Sequence, residues 1–248
     1  MIRAPIAALA PGVRALPSDV SHHLCRVLRL RIGDRFVAFD PEARVEADVT
    51  IDDVSGDAAR VTVGALRPAR VVAEAPVVFV YALAKGDKVD AVVRDATELG
   101  ATRIIVARTS RSVVKAEGDR AAGKIDRWRR IAEQAARQCG RADPPAIEGI
   151  LGWGAALEAA ARESDARWCL WESATAPIGP ALRDAVARAA PLAFAIGPEG
   201  GLTQAEVEEA RVAGFAPASL GRFVLRTETV AAAILGAVLV LRSGDATS

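Results

Sequence analysis

The sequence predicts an α/β protein: a small β-rich unit over residues 1–70, then a larger parallel α/β unit over residues 71–248. Two observations predict this. Before residue 70, short runs alternate apolar and polar side chains, the period of strands buried on one face. From Val77 onward, uninterrupted apolar runs alternate with segments of helical period, the pattern of a parallel sheet covered on both faces.

In the first unit, Val45, Ala47, Val49 and Ile51 alternate with Glu46, Asp48 and Thr50. Runs at 36–39 and 60–63 are the expected partner strands, separated by the turn-rich Asp40-Pro41 and Asp52-Asp53. A helix is expected before them, capped by Asp19 or Ser21, with Leu24, Val27 and Leu28 as its apolar stripe. Residues 68–76 are the expected linker. In the second unit, 77–83 is a strand buried on both faces, followed by a helix over 87–99 that Gly100 stops. A strand at 103–107 and a long helix at 119–138 come next, the helix carrying Ile125, Trp128, Ala132 and Ala135 on one side. Strands at 167–171 and 192–196 flank a helix at 181–190. Thr203 and Glu206 make a capping box for a helix that Gly214 closes. A short strand at 218–220 precedes the last helix, whose apolar run at 230–241 is too short for a bilayer and reads as buried.

Charge narrows the function classes. The 32 basic and 31 acidic residues nearly cancel, so any signal for nucleic acid must be local. Cys25, Cys139 and Cys169 lie far apart in sequence, with no metal-ligand spacing; no metal is expected, and free thiols suit a reducing cytoplasm. The N-terminus has no uninterrupted apolar run of the kind that directs secretion, so the reading is cytoplasmic, without a membrane partner.

The most informative stretch is Ile196-Gly197-Pro198-Glu199-Gly200-Gly201-Leu202, between a buried strand and a capped helix, where open α/β sheets bind ligands. Its glycines let backbone approach a ligand, and Pro198 stiffens the loop. It lacks the Gly-Lys-Ser/Thr ending of a phosphate loop, and Glu199 suits a cationic or hydroxyl-bearing ligand better than a phosphate. A second stretch, Leu220-Gly221-Arg222-Phe223-Val224-Leu225-Arg226-Thr227-Glu228-Thr229, runs a glycine turn into the start of the last helix. Thr227 reads as its cap, and Glu228 suits the positive end of the helix dipole. Arg226 is the anomaly, since a cation at a helix start is disfavoured unless an anion or acceptor meets it.

These two stretches resemble the SPOUT-class methyltransferases that modify N3 of a uridine in 16S ribosomal RNA. Three further segments fit the same family in order: residues 23–29, residues 96–101, and residues 131–141. The resemblance covers almost the whole chain. It implies a PUA-like N-terminal domain on a SPOUT domain whose C-terminal backbone is tied in a deep trefoil knot. It also implies S-adenosyl-L-methionine (SAM) as methyl donor and a homodimer across which the active site forms. Carried over, the cofactor contacts fall on Trp171 and Glu172, on Ile196, Gly197, Pro198, Glu199, Gly200 and Gly201, and on Leu220, Gly221, Val224 and Leu225. The substrate implied is 16S rRNA or the small ribosomal subunit. Two positions depart from the family pattern: Phe223 stands where a basic residue is usual, and Asp95 replaces the usual lysine before Ala96-Thr97-Glu98-Leu99-Gly100.

Methylating N3 requires removing a proton from a weakly acidic imide and aligning the anion with an activated methyl group, so positioning and charge stabilisation carry much of the rate. Arg226 is the candidate cation beside the uracil carbonyls, and Glu228 and Glu199 are the nearest candidate bases. Arg26, Arg29 and Arg31, with Arg222, are the candidate RNA contacts; Arg35 joins the first cluster, with Asp34 against it. His22 and His23 are expected at the surface rather than in catalysis, and Trp128 in the core. Two other readings stay open: a SPOUT enzyme acting at a different RNA position, and a ribosome-assembly factor that kept the fold without the chemistry.

Overall fold

Alternation in the first seventy residues becomes a small sheet, as the side-chain period demands. The computed structural model describes residues 2–56, 58–69, 75–112 and 119–244. Two compact units emerge: Met1–Val72 with Ala136–Pro144, and Ala73–Ala135 with Pro145–Ser248. A single cut in sequence does not anticipate the inclusion of Ala136–Pro144 in the first unit.

The first unit runs β1 (Arg3–Pro5), β2 (Gly12–Ala15), α1 (Ser18–His22), a π-helical turn (His23–Val27), β3 (Arg35–Asp40), β4 (Val45–Ser55), β5 (Ala58–Val63) and β6 (Arg67–Pro68). The sheet order is β1-β3-β4-β5-β2, with β6 added against β4. Phe36 and Ala38 meet Ala47, Val49 and Ile51 and Val61 and Val63 in one core, as their alternation requires. Glu46, expected on the wet face, is buried because Arg3 (2.6 Å) and Arg67 (3.0 Å) neutralise it.

Three expectations in this unit need correction. Asp19 and Ser21 do not cap the helix; Pro17 holds that position and Ser21 lies buried within it, its hydroxyl accepting from the Ala59 N–H. Of the expected stripe only Leu24 is buried, whereas Val27 is 59% and Leu28 40% exposed. The physical reason is the π-helical turn, whose wider repeat shifts the phase on which a 3.6-residue stripe depends. Part of the expected linker is also a strand, since Pro68 pairs with Val45; its residues 70–74 lie outside the described residues.

The second unit runs β7 (Val77–Ala82), α2 (Lys88–Glu98), β8 (Arg103–Arg108), α3 (Asp119–Cys139), β9 (Ala146–Gly152), α4 (Trp153–Ala161), β10 (Ala166–Leu170), α5 (Gly179–Ala187), β11 (Leu192–Ile196), α6 (Gln204–Val212), β12 (Ala216–Ala218) and α7 (Thr227–Gly244). All six strands pair in parallel, in the order β12-β10-β11-β7-β8-β9. Alternate residues of β7 feed opposite cores. Phe79 and Tyr81 join Val92 and Val93 of α2, Leu182 of α5 and Ile234 and Leu235 of α7, whereas Val78 and Val80 join Leu157 of α4 and Val207 of α6. This is why the run lacks polar alternation: neither face is wet.

The predicted strands and helices of this unit are present with shifted ends; the last short strand lies at Ala216–Ala218 and α5 at Gly179–Ala187. Trp128 is buried and its indole N–H donates to Asp90, as a core anchor should. Strand β9 and helix α4 were not predicted, although Trp153, Ala156, Leu157 and Ala160 fall at i, i+3, i+4 and i+7 and are all buried. The run at 230–241 is not buried throughout, since Leu239 is 44% and Val240 71% exposed. No helix among the described residues is long and apolar enough to cross a membrane.

Strands β8 and β9 extend the sheet to one side of β7, and β11, β10 and β12 extend it to the other. Loops leaving β7 and β11 therefore diverge, and a crevice opens at the carboxyl ends of the central strands.

Candidate functional site

The crevice holds a cleft of about 470 Å³. Its walls are the loop after β11 (197–202), the start of the loop after β10 (Trp171, Glu172), the loop after β12 (219–226), and Lys88 at the start of α2. Every residue expected to touch cofactor lines it, and so do Arg222 and Arg226; the RNA candidates Arg26, Arg29 and Arg31 belong to the first unit and are exposed there.

The loops are fixed by backbone bonds. Pro198 accepts from the Gly201 N–H at 2.9 Å, closing a tight turn, and Gly201 has a φ of +70°, a conformation that disfavours any side chain. The other glycines of the loop also meet the protein's own packing. A Cβ at Gly197 would stand 2.7 Å from Leu202, and one at Gly200 would stand 3.3 Å from Arg111. A side chain at either position would therefore press on a neighbour of the fold. Arg111 also donates to the Gly200 carbonyl at 2.7 Å, bracing the loop from behind. Across the cleft, Trp171 donates its N–H to Ala218, Ser219 donates to Ala176, and Ile178 donates to Ser219, so the loops after β10 and β12 support each other.

Beneath the α6 end of the loop, the capping box is present as expected, with Glu206 accepting from the Thr203 N–H at 2.8 Å and the Thr203 hydroxyl bonding the Glu206 N–H. The same Glu206 carboxylate also accepts from the Ser110 N–H at 2.7 Å, joining this helix to the loop after β8. Burial pushes its pKa up, but the N–H and hydroxyl donors of Thr203 and Ser110 outweigh that and hold it below the usual carboxylate range.

Sequence reasoning missed the residue at the charged end of the cleft. Lys88 places its ammonium 3.2 Å from Glu199 and 3.5 Å from Glu228, tying the β11 loop to the first turn of α7. Burial raises the Glu199 carboxyl, but its own backbone N–H, Lys88 and the Lys85 N–H bring it below its ordinary value. Glu228 is lowered first by its own backbone N–H, against burial, with Thr227 and Lys88 adding to the effect. Both carboxylates are thus ionised at neutral pH, and their low basicity weakens the expectation that either abstracts a proton. The signal that could have found Lys88 is the one that singled out Arg226: a cation at the first turn of a helix.

Thr227 does not cap α7 as expected. Its hydroxyl meets the Tyr81 hydroxyl at 2.8 Å and Glu228 at 3.2 Å. Tyr81 is fully buried, and burial pushes its pKa up to about 12 despite the Thr227 bond, with the charges of Glu228 and Glu199 adding; it is a neutral hydroxyl. Cys169, held near 12 by burial and by Glu172 and Glu206, is an inert thiol. Arg226 is exposed, and its guanidinium has no partner among the described residues. Of the two departures from the family pattern, Phe223 stands 77% exposed on the cleft rim and Asp95 pairs with Arg94 at 2.8 Å. Among the described residues no group of His, Cys, Asp and Glu could hold a metal ion.

Comparison with known proteins bears on this geometry. A family profile described as "RNA methyltransferase domain" matches residues 73–239, and one described as "RNA methyltransferase PUA domain" matches residues 16–63. Ribosomal RNA small subunit methyltransferase E of Mycobacterium bovis is 33% identical over 240 residues, spanning 94% of this chain and 88% of that protein. The Bacillus subtilis protein of the same name is 31% identical, spanning 90% of this chain and 88% of its own length. Among solved structures, ribosomal RNA small subunit methyltransferase E of Neisseria gonorrhoeae bound to S-adenosyl methionine superposes with a TM-score of 0.84, at 25% identity, over 97% of this chain and 98% of that one. On these matches the chain belongs to the ribosomal RNA small subunit methyltransferase E family, with an RNA methyltransferase domain behind a PUA domain.

Proposed function

We propose that this protein is a cytoplasmic, SAM-dependent methyltransferase that methylates N3 of a uridine in 16S rRNA of the small ribosomal subunit. The observation that carries the reading is the cleft at the sheet's switch point. Its walls join backbone of the 197–202 and 219–226 loops to apolar side chains (Leu170, Leu202, Val230) and to carboxylates. Such walls fit SAM, whose adenine and methionine arm suit backbone donors and acceptors and apolar surface, and whose positive sulfonium suits Glu172 and Glu199. Trp171, Glu172, Ile196, Gly197, Pro198, Glu199, Gly200, Gly201, Leu220, Gly221, Val224 and Leu225 are the residues that would hold it. When bound, SAM supplies a methyl group already activated for transfer.

The chain's own residues then have separable tasks. Arg226 presents a guanidinium with no partner among the described residues at the cleft, where it donates to a uracil carbonyl and stabilises the anion as N3 loses its proton. Glu199 and Glu228, kept ionised around Lys88, give that end of the cleft a net negative charge. Arg222 on the rim and Arg26, Arg29 and Arg31 in the PUA domain take up phosphates. The crossing of the chain from β11 to β12 beyond β10, with Ser219 bridged to Pro177 in the loop after β10, supports a knot in the backbone between β10 and α7. The exposed Phe223, Val224 and Leu225 beside the cleft suit burial against a second copy, which supports a homodimer.

The test is methylation of purified small subunits lacking the modification, with labelled SAM and mass mapping of the product. Label on N3 of one uridine is the expected result. Label on a ribose hydroxyl or another base would move the assignment within RNA methylation, and SAM binding without transfer to any RNA would sink it.

A further inference from the structure

The first unit contains a second concavity, of about 480 Å³, lined by Cys25, Arg26, Leu30, Arg31, Ile32, Val54 and Gly56. It lies where the π-helical turn ends against the tip of the β4–β5 hairpin. Three features set it apart from an ordinary surface dimple. Leu28 donates its N–H to His23 and Leu30 to Leu24, the wide-turn pattern, and Arg29 is forced to a φ of +59° to close it. Such a backbone is costly for a side-chain-bearing residue and persists where the surroundings over-determine it. Second, the turn holds apolar side chains out of the core: Val27 is 59% exposed and Ile32 62%, beside the half-buried Leu30 and Val54. Third, the exposed Arg26 and Arg31 line that apolar floor, and the exposed Arg29 lies on the turn between them. Among the described residues, the nearby acid Asp34 is engaged by the Arg31 N–H at 2.7 Å and Asp52 by the Thr62 hydroxyl at 2.7 Å, and Asp53 lies on β4; Asp57, in the hairpin itself, lies outside the described residues.

An apolar floor lined at its edge by two arginines is complementary to one kind of occupant. A duplex offers such a surface only phosphates and hides the faces of its bases. A single strand offers both, a flat apolar base and the phosphates on either side of it. We propose that this groove is a base-docking site: an unpaired nucleotide of the RNA lays its base on Ile32, Leu30 and Val54 while its flanking phosphates meet Arg26, Arg29 and Arg31. The inference rests on the reading of this unit as an RNA-docking module and adds what it selects, single-stranded over paired RNA.

The experiment uses the full chain and three probes: a short oligouridylate, the same strand carrying abasic sites, and a blunt RNA duplex, each titrated over a range of salt. Ile32→Ser with Val54→Thr changes the floor and leaves the charges. That variant is expected to lose about fivefold or more in affinity for the oligouridylate, at the low end of what one stacked base contributes, with its salt slope unchanged. The abasic strand is expected to bind wild type and variant alike. Arg26→Gln with Arg31→Gln is expected to flatten the single-strand salt slope by about 1.4, two phosphate contacts at roughly 0.7 each. Unchanged oligouridylate binding by the floor variant overturns the base-docking site even if the arginine variant behaves as expected. A wild type that prefers the duplex does the same, as does a floor variant that changes only the oligomeric state, which would make the groove a protein interface. If both variants bind every probe as wild type does, the RNA-docking reading itself fails.

Discussion

A lysine flanked by two carboxylates decides how the cleft responds to pH. Lys88 lowers the pKa values of Glu199 and Glu228, both already below the ordinary value, so both stay charged until the solution is distinctly acidic. Lys88→Met removes the cation that bridges them among the described residues, and each carboxyl must then ionise beside a less compensated neighbour. The acid limb of methyl transfer is expected to move to higher pH in this variant and to return in Lys88→Arg. A pH–rate profile reads it directly, and an unmoved limb would remove the triad from the reaction. Arg226 belongs to a different task, because it is exposed and its guanidinium has no partner among the described residues. Arg226→Ala is expected to slow single-turnover methylation about 100- to 1000-fold, the usual loss for one donor to a developing anion, with SAM affinity unchanged. A parallel collapse of SAM affinity would reassign it to the cofactor.

Helix α6 is anchored at its start by one carboxylate with two duties. Glu206 closes the capping box and also holds the Ser110 N–H of the loop after β8. Glu206→Gln keeps the shape but turns one acceptor into a donor, leaving a part-buried N–H unmatched, and is expected to cost about 1 kcal/mol at neutral pH. The sign with pH follows from its lowered pKa. Glu206 contributes its stability above the unfolded value near 4.5 and loses it as pH falls through the folded value, so wild type and variant should converge in acid. Denaturant titrations at neutral and acid pH measure this; a constant difference would show that ionisation is not involved. The capping box was readable because its two residues are three apart and act locally. The bond to Ser110 was not readable, since it joins residues 96 positions apart. The same divide runs through the site: the glycine loop, Arg226 and a lysine at the start of α2 are visible in sequence, whereas the pairing of Lys88 with Glu199 and Glu228 is tertiary. The apolar stripe of helix α1 was not legible for a local reason, since residue types alone do not mark the π-helical turn that rotates Val27 and Leu28 into solvent.

At the scale of the whole chain, the cofactor cleft and the arginine-rich groove belong to different compact units. A ligand stabilises the unit that binds it, by about 2.7 kcal/mol at a hundredfold excess over its dissociation constant. Saturation with SAM is therefore expected to slow amide hydrogen exchange in β7–β12 and to leave β3–β5 at their former rates. Equal protection in both would mean that the two units open together. The order of strands in the larger sheet also bears on how the protein comes into being. Central strand β7 pairs on one side with β11, so Val77 waits for Leu192 before the middle of the sheet can close. At a synthesis rate of about 5–20 residues per second, that partner emerges roughly 6–23 s later. Until then Phe79 and Tyr81, which end fully buried, have one flank of their strand open. The strands of the first unit, complete by Pro68, meet their neighbours within a fraction of that time. The nascent chain thus passes through an interval in which an RNA-docking fold exists without its enzyme, and a chain stalled before Leu192 is expected to be cleaved by protease within β7 and β8 while β3–β5 resist.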